Sequence, residues 1–262
     1  MNLSTEYPLN PFPSARIIRR MGLSGDQDGI MNRYINEEGH WQEHLNHSKN
    51  YIKKTVKDQK YDNVAILGSG WLLDVPLHYL SEHCENVFLY DIRHPKPIIN
   101  KTRQYSNVEL ITMDITGGII EFIYHRVKQK QFTEIGHVPK VLFKPVKNVD
   151  LLISLNILNQ LDILIVEYLR KYKEISEPEI VKLRSQIQQN HLNSLSKQSS
   201  VLITDYEEII FDRTGREIKK SSLVFSDFPK GRNQEEWIWR FDNQMTYYPN
   251  RKTHFKVKAI QL

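Results

Sequence analysis

The sequence has very little cysteine and no long apolar run. Cys84 is the only cysteine among 262 residues, so no internal disulfide can form and a zinc site built from several thiolates is excluded. The densest apolar stretch, residues 149–158, is interrupted by Asp150 and Asn156 and falls far short of the roughly 20 residues of a membrane span. The N-terminus has no apolar segment before a small-residue cleavage site, so we expect no signal peptide and a cytoplasmic protein.

Net charge is also small over most of the chain. The formal net charge is +5, but residues 213–262 alone sum to +6, so the first 212 residues are close to neutral. Lysines on an edge strand discourage the addition of further strands, which is the interpretation we prefer for this basic region. The alternative is an anion-binding surface, which permits a nucleic-acid partner without requiring one.

The apolar pattern predicts alternating strands and helices, followed by strands of period two. Buried runs such as residues 64–67, 87–90 and 149–155 are typical of parallel strands, whereas the pattern after residue 209 indicates antiparallel ones. We therefore predict an α/β fold with a doubly wound, mostly parallel seven-stranded sheet and an antiparallel C-terminal strand. An extended arm and a helical lid are expected over residues 1–60, with helix over 26–58, and the α/β domain over 61–262.

Polar residues stand where the predicted strands end. Gly68-Ser69-Gly70 follows the first strand, and Asp91, Asp114 and Asn156 follow the next three. Ligands of open α/β sheets bind at this edge, and a carboxylate after the second strand is well placed to accept the hydroxyl protons of a ribose. Leu73 occupies the third position of a dinucleotide-binding glycine motif and no phosphate-binding lysine follows, so a nucleoside cofactor without a pyrophosphate is favoured.

These motifs resemble those of the class I S-adenosylmethionine-dependent methyltransferases, a resemblance that covers residues 61–262. It rests on four segments: VAILGSG (64–70), FLYDI (88–92), LITMDIT (110–116) and DLLISLNILNQL (150–161). Two positions depart from the family pattern, because Ile66 replaces a frequent acid and Leu72 a frequent third glycine. Asp74 is a candidate to take over from the missing acid, or else a cap of the following helix.

The resemblance implies S-adenosyl-L-methionine as the cofactor. Gly68, Ser69 and Gly70 would line its methionine moiety, and Asp91 with Ile92 would hold the ribose. On the same analogy Asp114 and Ile115 would frame the adenine, with Asn156 beside the methyl group. Each residue also has a simpler interpretation: the glycines as a tight turn, the aspartates as helix caps, and Asn156 as a side chain that hydrogen-bonds a loop.

The N-terminal helical segment supplies the candidates for the acceptor side. His40 and His44 stand four residues apart, a spacing that places them on one helical face. We expect no metal there and propose instead that either histidine acts as a general base with a near-neutral pKa. Trp41 would wall the acceptor pocket, and Asn159 is a further candidate for substrate binding.

The function predicted is methyl transfer to a small-molecule acceptor, with no membrane partner. Three alternatives stay open at this point: a relative that binds the nucleoside cofactor without catalysis, a nucleic-acid methyltransferase that uses the basic C-terminal region, and a nicotinamide-dependent oxidoreductase. The sequence identifies neither the methyl acceptor nor the oligomeric state.

Overall fold

A computed structural model describes residues 9–262, apart from residues 38, 133, 134, 136 and 173 and the side chains of 24 and 26. Within this part of the chain the strands are β1 Asn63–Leu67, β2 Asn86–Asp91, β3 Val108–Thr112, β4 Leu151–Leu155, β5 Ser200–Phe211, β6 Glu217–Ser222, β7 Arg232–Asp242 and β8 Lys252–Gln261. The helices are α1 Ala15–Arg20, α2 Leu23–Asn36, α3 Gln42–Asp58, α4 Leu77–His83, α5 Lys96–Thr102, α6 Ile119–Lys128, α7 Gln160–Leu169 and α8 Glu177–Leu195.

The strands form one sheet in the order β3-β2-β1-β4-β5-β8-β7. Strands β1 to β5 are parallel to one another, and β8 lies antiparallel between β5 and β7. The chain winds outward from β1 in both directions, so the switch point lies between β1 and β4. The predicted Rossmann-like fold is thereby confirmed, with β6 as a strand beyond the seven expected.

Strand β6 is accommodated because β5 is longer than predicted. Residues 200–203 of β5 pair with β4, and residues 207–211 continue past the end of β4 and pair with β6. A bulge between Asp205 and Glu207 lets one strand serve both partners. The sequence predicts two separate segments here because Asp205, Glu207 and Glu208 interrupt the apolar pattern.

Helices cover both faces of the sheet and enclose two apolar cores. Ile119 and Ile123 of α6 pack with Leu183 of α8 on one face. Ile52 of α3 and Leu80 of α4 pack on the other. Both faces of the parallel strands are therefore buried, as their uninterrupted apolar runs predict. No helix among the described residues is long and apolar enough to cross a membrane.

The N-terminal region departs from prediction in two places. The single helix expected over 26–58 is two helices, because Gly39 adopts a left-handed φ of +88° and ends the helical path between them. The arm predicted as extended contains α1, whose N-terminus is capped by Ser14 accepting a hydrogen bond from the N–H of Ile17 at 3.4 Å. Residues 1–8 of that arm lie outside the described residues.

The turn after β1 requires glycine at its first position. Gly68 has a φ of +83°, and a Cβ there would lie 2.9 Å from Cδ1 of Ile157 and 3.0 Å from the carbonyl oxygen of Leu155. We expect Gly68→Ala to lower the free energy of unfolding by about 1–3 kcal/mol, because backbone strain and the contact with the β4 end add. Urea unfolding measures the change.

Gly29→Ala is the matched control, because Gly29 lies inside α2 and a Cβ there meets nothing within 4 Å. Alanine in a helix interior is favoured over glycine by up to about 1 kcal/mol, so this variant should be as stable as the wild type or more so. Equal destabilisation by the two substitutions would contradict the role given to Gly68.

Candidate functional site

A cavity opens at the carboxyl ends of the parallel strands, and about 1110 Å³ of space in it and in the solvent at its mouth is free of protein atoms. Helix α2 roofs it with Leu23, Gln27 and Ile30, which the i, i+4, i+7 spacing places on one helical face. Other lining residues are Trp41, His44, Gly68, Ser69, Gly70, Trp71, Asp74, Asp91, Ile92, Asp114, Ile115, Asn156, Ile157 and Trp239. The cavity therefore gathers every predicted cofactor residue at the switch point of the sheet.

The glycine turn is built by hydrogen bonds to the neighbouring strand β2. The N–H groups of Gly68 and Ser69 both donate to the carbonyl oxygen of Tyr90, at 3.0 and 3.2 Å. The N–H of Gly70 donates to Oδ2 of Asp91 at 2.7 Å. The hydroxyl of Ser69 is buried and has no hydrogen-bond partner among the described residues. The turn thus brings backbone and an unpartnered hydroxyl to the cavity wall.

Asp91 is the polar centre of the cavity. Its Oδ1 accepts a hydrogen bond at 2.7 Å from the side-chain amide of Gln27, which also donates to the carbonyl oxygen of Arg93 at 2.9 Å. The indole N–H of Trp71 donates to the carbonyl oxygen of Gln27 at 2.7 Å. Burial raises the pKa of Asp91 to about 6, and hydrogen bonds, first among them that from Gly70, oppose the shift. This carboxylate therefore joins the glycine turn to the roof helix.

Asp114 lines the cavity and at the same time caps α6. Its Oδ1 accepts from the N–H and the hydroxyl of Thr116, at 2.8 and 2.6 Å. Its Oδ2 accepts from the N–H groups of Gly118 and Ile120, at 3.1 and 3.3 Å. Burial raises the pKa of Asp114 to about 6. The capping interpretation is thereby realised, and the place of Asp114 beside an adenine stays a prediction.

Asn156 projects into the cavity from the end of β4 with a left-handed φ of +48°, a conformation that asparagine tolerates well. Its Nδ2 donates to Oδ2 of Asp74 at 2.7 Å, and its buried Oδ1 has no partner among the described residues. Asp74 does not cap α4, which begins at Leu77 after the N-cap residue Pro76 and has no side-chain cap. The carboxylate that the sequence offers as a replacement for the missing acid therefore lies in the cavity.

His44 lines the cavity but lacks the near-neutral pKa expected of a general base. Burial lowers its pKa to about 3, and its ring stacks on Trp239 at 4.0 Å between centroids. The indole N–H of Trp237 donates to Nδ1 of His44 at 3.0 Å. Indole can only donate, so in this contact Nδ1 holds the lone pair and the single proton of the neutral ring is on Nε2. The longer contact between Nε2 and Nδ2 of Asn156, at 3.3 Å, then joins two donors and is not a hydrogen bond. The lowered pKa departs from the near-neutral value expected of His44, and its role as a base stays a prediction.

Two further predicted residues lie apart from the cavity lining. His40 lies in the turn before α3, with its side chain 45% exposed and Nδ1 3.6 Å from Glu37, so it shares no helical face with His44. Asn159 is buried and donates from Nδ2 to Oδ2 of Asp205 at 2.8 Å. The catalytic role predicted for His40 and the substrate-binding role predicted for Asn159 are therefore not supported by their positions.

Trp41 lines the cavity, while its predicted place in the acceptor pocket stays a prediction, and the structure adds neighbours that sequence reasoning missed. The indole of Trp41 packs edge-on against Trp239 at 4.8 Å and donates to the carbonyl oxygen of Phe241 at 2.9 Å. Trp239 lies in an alternating strand pattern that indicates burial and carries no sign of its cavity. Gln27 belongs to a weakly amphipathic helix, where only the Leu23 and Ile30 spacing could have identified its face.

No protein-family model and no curated protein matches the chain. Among solved structures, it is similar to the N-methyltransferase NodS from Bradyrhizobium japonicum WM9 in complex with S-adenosyl-L-homocysteine, with 10% identity, a TM-score of 0.38, and coverage of 84% of this chain and 87% of NodS.

A DhpI complex with S-adenosyl-L-homocysteine gives 9% identity and a TM-score of 0.37, with coverage of 93% of this chain and 98% of DhpI. The plantazolicin methyltransferase BpumL in complex with S-adenosyl-L-homocysteine gives 12% identity and a TM-score of 0.33, with coverage of 94% of this chain and 93% of BpumL. At these identities and TM-scores the likenesses carry no statement about activity, which has to come from the cavity itself.

The low pKa of His44 predicts an acid-sensitive fold. Above pH 6.5 the ring is neutral in both folded and unfolded chains, whereas between pH 6.5 and about 3 only the unfolded chain takes up the proton. Stability is therefore lost as the pH falls through this window. From pH 7 to pH 5, the wild type should lose about 2 kcal/mol more than His44→Gln, whose amide oxygen can still accept from Trp237.

Urea unfolding at the two pH values measures this difference. The buried aspartates titrate in both proteins, so their contribution cancels in the comparison. Identical losses in the wild type and the variant would show that His44 titrates normally in the folded chain.

The hydrogen bonds of Gln27 to Asp91 and Arg93 predict that this residue stabilises α2 in its position over the cavity. Gln27→Ala removes two hydrogen bonds, one of them to a carboxylate, which together are worth about 1–3 kcal/mol. Amide hydrogen exchange over Leu23–Asn36 should become about tenfold faster, while exchange in β1 and β4 stays unchanged. Gln42→Ala is the control, because Gln42 is an exposed residue of α3 whose amide reaches only Asn46. Unchanged exchange in α2 would contradict this role.

Proposed function

We propose that the chain binds S-adenosyl-L-methionine in this cavity and transfers its methyl group to a small-molecule acceptor. The observation that carries the proposal is the convergence of a glycine turn and the Asp91 carboxylate on one cavity at the switch point of the sheet. A carboxylate after β2 offers acceptors for ribose hydroxyls, and the turn between β1 and α4 allows close approach of a ligand to the backbone.

The cavity fits a nucleoside joined to an amino acid. Ser69 Oγ and Asn156 Oδ1 are buried polar atoms that lack partners among the described residues and need them from a ligand. A Cβ at Gly70 would meet nothing closer than the carbonyl oxygen of Gly68 at 4.0 Å, so the cavity reaches the backbone there. Apolar side chains of Ile92 and Ile115 line the same cavity and suit the faces of a base.

The cofactor, when bound, supplies a methyl group on a sulfonium that leaves as a neutral thioether. Catalysis of such a displacement consists largely of positioning and exclusion of water. The roof formed by Leu23, Gln27 and Ile30 is suited to exclude water, and on this proposal residues 1–60 act as the lid of the site. His44 presents an N–H and, with its lowered pKa, is a weak base, so the acceptor should be nucleophilic in its neutral form or reach another base.

A small acceptor is favoured over a nucleic acid because the cavity lies beneath α2. Several basic residues of the C-terminal region are also paired with acids: Lys220 with Glu217, Lys256 with Glu207 and Lys258 with Glu236, at 3.0, 2.7 and 3.1 Å. Such pairing lowers the density of free positive charge that a phosphate backbone would require.

Calorimetric titration with S-adenosyl-L-homocysteine and with NADH tests the cofactor. We expect the first to bind and the second not, and the affinity for S-adenosyl-L-homocysteine to fall about 10- to 100-fold in Asp91→Ala, which removes charge-assisted hydrogen bonds to the ribose. Asp62→Ala is the control, because Asp62 is exposed at the opposite end of β1. Failure of S-adenosyl-L-homocysteine to bind, or full affinity for it in Asp91→Ala, would overturn the proposal.

A further inference from the structure

We propose that Asp74, together with Oδ1 of Asn156, binds the ammonium group of the cofactor's methionine moiety. The inference rests on the proposed function and adds to it the residue that recognises the amino-acid end of the cofactor. It assigns recognition of the ammonium group to the loop after the glycine turn, because Ile66 in β1 has no charge with which to bind it.

Ile66 is fully buried in the apolar core beneath α3 and α4. It pairs in register with Leu89 on β2 and with Ile153 on β4. No charge reaches the cavity from this position. A cation in the cavity therefore needs a carboxylate from another element.

Asp74 offers that carboxylate four residues after Gly70. Leu72, between the two, adopts a left-handed φ of +56°. Pro76 follows Asp74 by two residues, and α4 begins only at Leu77. The irregular stretch carries Asp74 to the cavity wall, where its Oδ2 accepts from Nδ2 of Asn156 at 2.7 Å. The loop conformation therefore determines where the Asp74 carboxylate lies, and Asp74 does not cap α4.

The surroundings of Asp74 leave its charge poorly compensated. Burial is the main influence on its pKa, which it raises, and the charge of Lys49 is the weakest of the influences that lower it. A partly buried carboxylate with so little compensation from a neighbouring charge is costly unless a cation approaches it. An ammonium group supplies both the charge and several N–H donors.

Asn156 supplies the second acceptor at the same place. Because Nδ2 of Asn156 is committed to Asp74, its Oδ1 is directed elsewhere, and that atom is buried without a partner among the described residues. His44 Nε2 lies 3.3 Å from Nδ2 of Asn156 and makes no hydrogen bond to Oδ1, so that oxygen stays unsatisfied. Asp74 and Asn156 both line the cavity and are joined by a hydrogen bond, so together they offer an ammonium group a carboxylate and a second, unsatisfied oxygen.

Two ligands separate the amino-acid end from the nucleoside end. S-adenosyl-L-homocysteine carries the ammonium group, and 5′-methylthioadenosine is a nucleoside thioether that lacks the whole amino-acid moiety. Asp74→Asn removes the charge while keeping an oxygen that can accept from Asn156. We expect this variant to lose about 10- to 100-fold in affinity for S-adenosyl-L-homocysteine and less than about threefold for 5′-methylthioadenosine, measured by calorimetry.

Asp58→Asn serves as the control, because it removes one negative charge from an exposed position at the end of α3. It should leave both affinities unchanged. If Asp74→Asn weakens both ligands equally, or neither, the assignment of Asp74 is wrong while the cofactor proposal stands. If the wild type binds neither ligand, the proposed function itself fails. Unfolding curves of Asp74→Asn, matched to those of the wild type, confirm that the comparison is made on a folded chain.

Discussion

The buried carboxylate of Asp91 is the contact on which the geometry of the site depends. It receives the N–H of Gly70 on one oxygen and the amide of Gln27 on the other, both at 2.7 Å. A strand end, a glycine turn and a roof helix that are distant in sequence are thereby held at one point. A charged acceptor in a buried setting makes stronger hydrogen bonds than a neutral one, so few contacts are needed to close the cavity. The proposed function assigns the ribose to the same carboxylate. Asp91 would therefore both bind the ligand and hold α2 over the cavity.

Much of the fold was predictable because buried parallel strands and their carboxyl ends leave a clear trace in sequence. The apolar runs that end at Gly68, Asp91, Asp114 and Asn156 predicted both the sheet and the edge where the cavity lies. The carboxyl ends of parallel strands must meet at one edge, which makes this inference a matter of topology rather than of side-chain detail.

The prediction failed where side-chain environment decided the outcome. His40 and His44 share a four-residue spacing, but Gly39 starts a turn that leaves one exposed and carries the other beneath Trp237 and Trp239. No local pattern indicates that a tryptophan almost two hundred residues away fixes the tautomer of His44. The double use of Asp114 as cavity wall and helix cap was likewise open, because Asp-Ile-Thr is compatible with both.

On the proposed function, Ile66 at position 66 and Asp74 in the following loop divide between them what the sheet and the ligand require. A carboxylate inside β1 would be surrounded by Leu89 and Ile153, and it would need a partner to offset the cost of burial. Ile66 avoids that cost and lets the core beneath α3 and α4 pack without interruption. Asp74, in an irregular loop beside Asn156, places a charge at the same cavity without interrupting the strand. A buried sheet requires apolar side chains, whereas a charged ligand requires a charged one. A loop residue at the end of the sheet can supply the charge while the strand residues stay apolar.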